Sequence, residues 1–308
     1  MNVEKFAGLF VGVEEGKIRD GWCAVKDFKA TSVQLKKDGY KSAKKIIKRV
    51  KKEVKKDPKL INKALCDAAG HKVPKLYDGA TDVQLTDQNY LLTICPRTIA
   101  NAGALFDAAL QRNVKLFVSA HQMDEAEKLC NHFWKNKALS KMSLKGGWKI
   151  KKVAKKVLAE GAKESGGTRV PRIIESTLKA TKGHEKRILT HLHYDGWRNG
   201  KAMPDEKLLH VLHDRMQELS PSSTVPISIN CRAGVGRTGA IAIGHHIRKE
   251  IDRHLAAGKK LDDISINVPA LLYAFRKQRE NVLRQGSQLA QIYSVIGDHY
   301  AKLKAHSA

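Results

Sequence analysis

ISINCRAGVGRTGAIAIGHHI, residues 227–247, changes character twice within its length. Ile227 and Ile229 lie in a short apolar run that reads as a buried strand, and Ala240 to Ile247, rich in small and apolar residues, reads as a helix. Between them stand Cys231, Arg232, Ala233, Gly234, Val235, Gly236 and Arg237, almost without bulk. The stretch is a strand, a glycine-bearing loop and a helix. Such a loop lets successive backbone N–H groups converge on one point, at the positive end of the following helix. That point is a cradle for an anion.

At the mouth of the cradle, Cys231 feels both this field and the charge of Arg237. Such surroundings lower a thiol pKa from ~8.5 to ~4–6 and give a thiolate nucleophile at neutral pH. Arg237 is planar and permanently charged, so it can grip two oxygens of a tetrahedral anion. A nucleophile, a clamp and a set of N–H donors are what in-line attack on a phosphate monoester requires. The competing reading is a tight turn that holds a buried thiol.

A chain of 308 residues that is 42% hydrophobic can bury a full core, as one large domain or one domain with an appendage. No apolar stretch approaches the ~18 residues that span a bilayer. The patch Phe6 to Val13 is flanked by Glu4, Glu14 and Glu15, unlike a secretory signal, so a soluble protein is expected. The formal charge of +26 attracts polyanions without choosing among nucleic acid, lipid headgroups and phosphorylated proteins. Five cysteines, Cys23, Cys66, Cys95, Cys130 and Cys231, include no C-x-x-C pair. That argues against a disulfide scaffold or a zinc site and for a reducing, cytoplasmic setting.

In residues 36–56, Ala43, Ile46, Ile47, Val50 and Val54 fall on one helical face among lysines, and the run ends at Asp57-Pro58. It predicts one basic amphipathic helix, docked by its apolar stripe or facing an acidic membrane or partner. Residues 1–60 are expected to form an N-terminal region carrying this helix, and 61–308 a catalytic domain. From Tyr90 the chain alternates strand, helix and strand through NYLLTICP, ANAGALFDAALQRN and VKLFVSAH, which suggests an α/β layout. Residues 135–170 are lysine-rich, with Gly146-Gly147 and Gly166-Gly167, and fit exposed hairpin strands or a surface insertion. RIIESTLKA and KRILTHLHY read as paired strands turning at Thr181-Lys182-Gly183. A loop, GWRNGKAMP, then leads to the helix DEKLLHVLHDRMQEL, and two more helices are expected over 267–280 and 285–300.

NCRAGVGRTG closely resembles the signature loop of the cysteine-dependent protein tyrosine phosphatases. The likeness extends over roughly residues 70–300. ESTLKATKGHEKRILTHLHYDGW looks like that family's hairpin leading into a mobile acid loop, YLLTICPRTIANAGALFDAALQRNVKLFVSAHQMDEAEKLCNHFW like a core segment, and FRKQRENVLRQGSQLAQIY like its glutamine loop. In detail it is nearer to bacterial secreted effectors of the family. The resemblance implies a twisted mixed sheet flanked by helices. It also implies that Cys231 forms a phosphocysteine, that Arg237 binds the phosphoryl group, and that the amides from Arg232 through Ala233, Gly234, Val235 and Gly236 complete the cradle. Thr238 would hydrogen-bond the sulfur, and Gln288 or Gln285 would place the hydrolytic water. No cofactor is implied.

The pattern breaks in two places. Aligning on Trp197 puts Arg198 and Asn199 where the family has Pro and Asp, and an asparagine cannot act as the general acid. Asp205, which follows Pro204 in the same loop, is the favoured replacement; Asp195 is the second, and a slow enzyme or substrate trap is the third outcome. The family's tyrosine-bearing recognition segment is also missing, and Tyr77 stands in a similar neighbourhood. His191 with His193, and His245 with His246, lack a clustered third ligand, so no metal is expected.

Three functions compete: hydrolysis of phosphotyrosine in proteins, hydrolysis of inositol phosphates or phosphoinositides, and capture of phosphotyrosine proteins without turnover. The uncharged loop interior Ala233-Gly234-Val235-Gly236 favours the first, since relatives acting on inositol lipids usually carry lysines there. Nucleic acid is not an expected partner, because no recognition motif accompanies the charge. Delivery into a host cell without a signal peptide accompanies the effector reading.

Overall fold

The structure, a computed structural model, describes residues 22–56, 80–85, 88–122, 134–135, 139–142, 144, 146–162, 170–220 and 224–307. In chain order the elements are β1 (Trp22–Ala24), α1 (Phe28–Lys37), α2 (Lys41–Lys56), β2 (Ala80–Gln84), β3 (Asn89–Ile94), α3 (Ile99–Gln111), β4 (Leu116–Ala120), β5 (Lys149–Glu160), β6 (Arg172–Lys182) and β7 (Glu185–Asp195). They continue as α4 (Glu206–Leu219), β8 (Ile227–Cys231), α5 (Gly236–Ala256), β9 (Ser265–Asn267), α6 (Val268–Gln278) and α7 (Gly286–Ser307). Tyr77, Cys66, Cys130, Gly166-Gly167 and most of the run after His121 lie outside the described residues.

Seven strands make one mixed sheet in the order β2-β3-β8-β4-β7-β6-β5. Its centre is parallel: β8 pairs β3 on one side and β4 on the other, and β4 pairs β7. The edges are antiparallel. The expected α/β fold with helices around a twisted mixed sheet is therefore present.

Parallel strands carry helices on both faces, and the period-two alternation of side chains shows which residues feed each layer. Tyr90, Leu92, Val118, Ile227 and Ile229 join one core with α1, α2 and α4–α7. Leu91 and Phe117, between them in sequence, join the other with Leu105, Phe106 and Ala109 of α3. All five residues of β8 are buried, with Ile227, Ile229 and Cys231 on one face and Ser228 and Asn230 on the other.

The basic helix differs from expectation at its start. Lys36 and Lys37 end α1, and Asp38-Gly39-Tyr40 turn the chain with φ of +62° at Gly39 and +63° at Tyr40 before α2 begins. The turn is fixed by the Asp38 carboxylate, which accepts the Ser42 amide at 2.9 Å. In α2 the buried face is Ala43, Ile47, Val50 and Val54, while Ile46 is half-buried. Burying each Val or Ile contributes about 1.5–3 kcal/mol. These residues share the core of α5–α7, and Phe28 of α1 packs its ring 4.9 Å from that of Tyr293. Among the described residues, the division expected near residue 60 thus does not separate one core from another.

Candidate active site

β8 ends at Cys231 in the middle of the sheet, at the carboxyl edge where open α/β sheets bind their ligands. The chain reverses at once. Gly234 N–H donates to the Cys231 carbonyl at 3.2 Å, and Gly234 takes a φ of +63°. A Cβ there would stand 2.3 Å from the Thr93 carbonyl oxygen, so glycine is required by space as well as by conformation. The loop is held from behind by Arg279, whose Nε donates to the Gly234 carbonyl at 2.8 Å, and by the Leu283 amide, which donates to the Val235 carbonyl at 2.9 Å.

α5 starts at Gly236, ahead of the Ala240 that opens the apolar run, so Arg237 and Thr238 belong to its first turn. Cys231 is 2% exposed. Burial pushes its thiol up, but the Arg237 charge, the Thr238 hydroxyl and amide, and the Val235 amide together outweigh it and hold the thiol below its ordinary value. Among the described residues the Thr238 hydroxyl has no other hydrogen-bond partner, which fits a donor kept for sulfur. Gly236 and Val235 are partly accessible, Arg232 likewise, and Ala233 is exposed, so the cradle opens to solvent above a buried sulfur.

Arg237 is 1% exposed. Its Nη1 donates to the Trp197 carbonyl at 2.5 Å and its Nη2 to Asn199 Oδ1 at 3.2 Å. The loop that follows β7 is therefore folded onto the Arg237 guanidinium. Two glutamines of α7 secure it. Gln291 bonds both polar backbone groups of Met203, at 2.8 and 2.9 Å, and Gln288 Nε2 donates to the Lys201 carbonyl at 3.3 Å.

The two glutamine candidates separate here. Gln288 is 1% exposed, with its Oε1 3.2 Å from where a Cβ of Gly236 would stand. Gln285 lies exposed just before α7. The two acid candidates, Asp205 and Asp195, hold other partners here. Asp205 caps α4: its Oδ1 accepts the Lys207 amide at 2.9 Å, and its Oδ2 stands against Gly161 at the end of β5. A helix cap competes successfully for that carboxylate because it satisfies an otherwise orphaned amide. Asp195, 2% exposed, pairs with Arg172 at 3.4 Å across the β6–β7 ladder. Neither carboxylate is drawn to Arg237; the side chain of Asn199 is.

Arg276 and Arg279 stand in the sequence only as members of FRKQRENVLRQGSQLAQIY. In the structure Arg279 braces the loop, and Arg276, buried, donates to the carbonyls of Val282, Leu283 and Ile47 at 2.8, 2.9 and 3.0 Å. Their i, i+3 spacing at the end of α6, with no acidic run opposite, was the available signal. Gln291 carried none beyond helical position. The paired histidines hydrogen-bond within the fold: His191 meets Ser119 Oγ, His193 the His121 carbonyl, and His245 the Tyr90 hydroxyl, each at 2.9 Å.

The sequence model of the protein-tyrosine phosphatase family matches residues 28–298. Tyrosine-protein phosphatase 1 of Dictyostelium discoideum is 34% identical over 101 residues, 31% of this chain and 19% of that protein. Human tyrosine-protein phosphatase non-receptor type 2 is 24% identical over 232 residues, 74% of this chain and 51% of its own length. The chain thus spans about a fifth and a half of these two relatives. Among solved structures, the catalytic domain of human protein tyrosine phosphatase non-receptor type 18 superposes with a TM-score of 0.53 at 20% identity, over 68% of this chain and 69% of that one. A Trypanosoma cruzi protein tyrosine phosphatase does so with a TM-score of 0.59 at 19% identity, over 78% of each chain. With a match that includes the strand–loop–helix around Cys231 and both bracing helices, the chain belongs to the protein-tyrosine phosphatase family.

Proposed function

We propose that the chain hydrolyses phosphotyrosine in proteins through a phosphocysteine intermediate. One observation carries this reading: a buried sulfur at the end of β8, with its thiol lowered by Arg237 and by donors from Thr238 and Val235. The thiolate attacks phosphorus, forming an S–P bond as the P–O bond to the tyrosine breaks. Water then attacks phosphorus, the S–P bond breaks, inorganic phosphate leaves and the thiolate returns. Arg237 offsets the charge of the equatorial oxygens in both steps. The Thr238 hydroxyl stabilises the departing sulfur, and Gln288, packed on Gly236, positions the water.

The loop interior contains no lysine, which favours a single aryl phosphate over a multiply phosphorylated inositol. Steady-state turnover of phosphotyrosyl peptides beside a panel of inositol phosphates tests this, and a strong preference for the latter overturns it. Cys231→Ser must abolish turnover; retained activity would mean another nucleophile.

Asn199 on Arg237 favours a second reading, a module that captures phosphotyrosine proteins and turns them over slowly or not at all. Activity on a phenyl phosphate with a very good leaving group but not on phosphotyrosine supports impaired catalysis, and tight phosphopeptide binding with neither activity supports capture. A reducing, cytoplasmic setting and delivery into a host cell extend the first reading. Contact of the lysines of α2 with an acidic membrane is a further extension, checked by sedimentation with anionic vesicles.

A further inference from the structure

We propose that the outer strand β5 is a docking track for an extended acidic segment of the substrate protein. This rests on the phosphotyrosine reading above and names where the rest of the substrate lies. β5 is a twelve-residue strand, KIKKVAKKVLAE, that pairs only with β6 among the described residues, so one row of its backbone N–H and C=O groups faces outward. Five lysines decorate it, and among the described residues only Lys156 has an ion-pair partner, Glu175 at 3.2 Å.

The register sets lysines on both sides of that edge. Lys149, Lys151 and Lys156 share a face with Thr181, Lys179 and Glu175, whereas Lys152 and Lys155 share the opposite face with Leu178 and Ser176, because the register shifts between Lys152 and Ala154. One or two lysines suffice to blunt an edge against aggregation. Here they gather closely enough that burial and the neighbouring charges of Lys155 and Lys135 hold the Lys152 amine below its ordinary value. An anionic partner relieves that repulsion.

A peptide fits this surface better than other polyanions. Only another backbone matches an open strand edge, and Val153 and Val157, 51% and 45% exposed, offer apolar contacts between the lysines. β5 carries no aromatic side chain on which a nucleic-acid base could stack. The track also points to the reaction centre. β5 runs in the same direction as β8, and Gly161, directly after it, abuts Asp205 at the end of the loop that folds onto Arg237. Four strand spacings separate β5 from β8, about 19 Å, so the acidic segment lies roughly six or more extended residues from the phosphotyrosine.

The test uses the full chain and synthetic phosphotyrosyl peptides bearing a run of glutamates either next to the phosphotyrosine or about eight residues from it, with serine-for-glutamate controls. The distant run is expected to lower KM about tenfold relative to its control, with kcat unchanged, and the adjacent run to lower it much less. Lys151→Glu with Lys155→Glu, and separately both to Gln, should erase the difference while turnover of p-nitrophenyl phosphate stays at the parent rate. Equal KM for distant and control peptides overturns the proposal. So does loss, in the variants, of binding to phosphatidylserine vesicles or to an oligo-dT strand with peptide KM unaffected. If the parent hydrolyses no phosphate ester, the phosphotyrosine reading fails on its own; fluorescence anisotropy with the unphosphorylated glutamate peptide then decides the track, since binding that the variants lose upholds it and absence of binding ends it.

Discussion

Asn199 Oδ1 accepts a hydrogen bond from Arg237 Nη2 at 3.2 Å, so the residue that the resemblance aligns with the family's proton donor is an amide resting on the Arg237 guanidinium. An amide cannot deliver a proton to a leaving phenolate. Asn199→Asp is expected to raise kcat on phosphotyrosyl peptides by about 10²-fold and to leave p-nitrophenyl phosphate nearly unchanged. The new activity should decline as pH rises through the carboxyl pKa, because the acid must be protonated to act. An unchanged kcat would show that the proton comes from elsewhere.

Asp205 is expected to behave as a helix cap. Asp205→Ala should lower stability by about 1 kcal/mol, while Asp205→Asn, an equally good cap, should leave both stability and kcat close to parent values. Thermal melts and peptide kinetics check this together. Loss of about 10² in kcat with Asp205→Asn, selective for poor leaving groups, would assign the acid to this carboxylate instead.

The lowered thiol of Cys231 sets the pH dependence of alkylation. Because its native pKa lies below the ordinary value, iodoacetamide should inactivate the protein with a midpoint below the ~8.5 of a free thiol. The same sign applies to folding: the contribution is present above the ordinary thiol pKa and is lost as pH falls through the native one. Arg237→Ala should move the alkylation midpoint upward and abolish phosphate binding.

Gly234 and Gln288 test the cradle and its second step. Gly234→Ala is expected to cost about 2 kcal/mol or more, from the left-handed backbone and the collision with the Thr93 carbonyl, and to abolish activity. Gln288→Ala should slow hydrolysis of the intermediate, seen as phosphoenzyme accumulating after rapid quench, whereas Gln285→Ala should have little effect.

Buried neutral histidines predict sensitivity to acid. Burial brings His299 down to about 3, and it holds His191, His213 and His245 well below 6.5. The unfolded chain therefore takes up these protons first, so stability present above about pH 6.5 is lost on acidification, by about 1.4 kcal/mol per pH unit for each such group. Melting temperature should drop steeply between pH 6.5 and 4.5. A flat profile would show the imidazoles to be accessible.

Local features were legible along the chain. Ile227 to Ile247 announced strand, loop and helix because apolar periodicity and a glycine-rich, bulk-free interval are properties of neighbouring residues, and with them came Cys231, Arg237 and Thr238. Ala43, Ile47, Val50 and Val54 announced their helix face for the same reason, though not the break at Asp38-Gly39-Tyr40, where a side-chain cap overrides the pattern. It took the packed fold to bury Gln288 against Gly236 and leave Gln285 exposed, to pair Asp195 with Arg172, and to lay Asn199 on Arg237. Those outcomes depend on which distant partner reaches each polar group first once the sheet and helices have packed. Chain spacing does not encode that competition, because most of the competitors lie tens of residues apart.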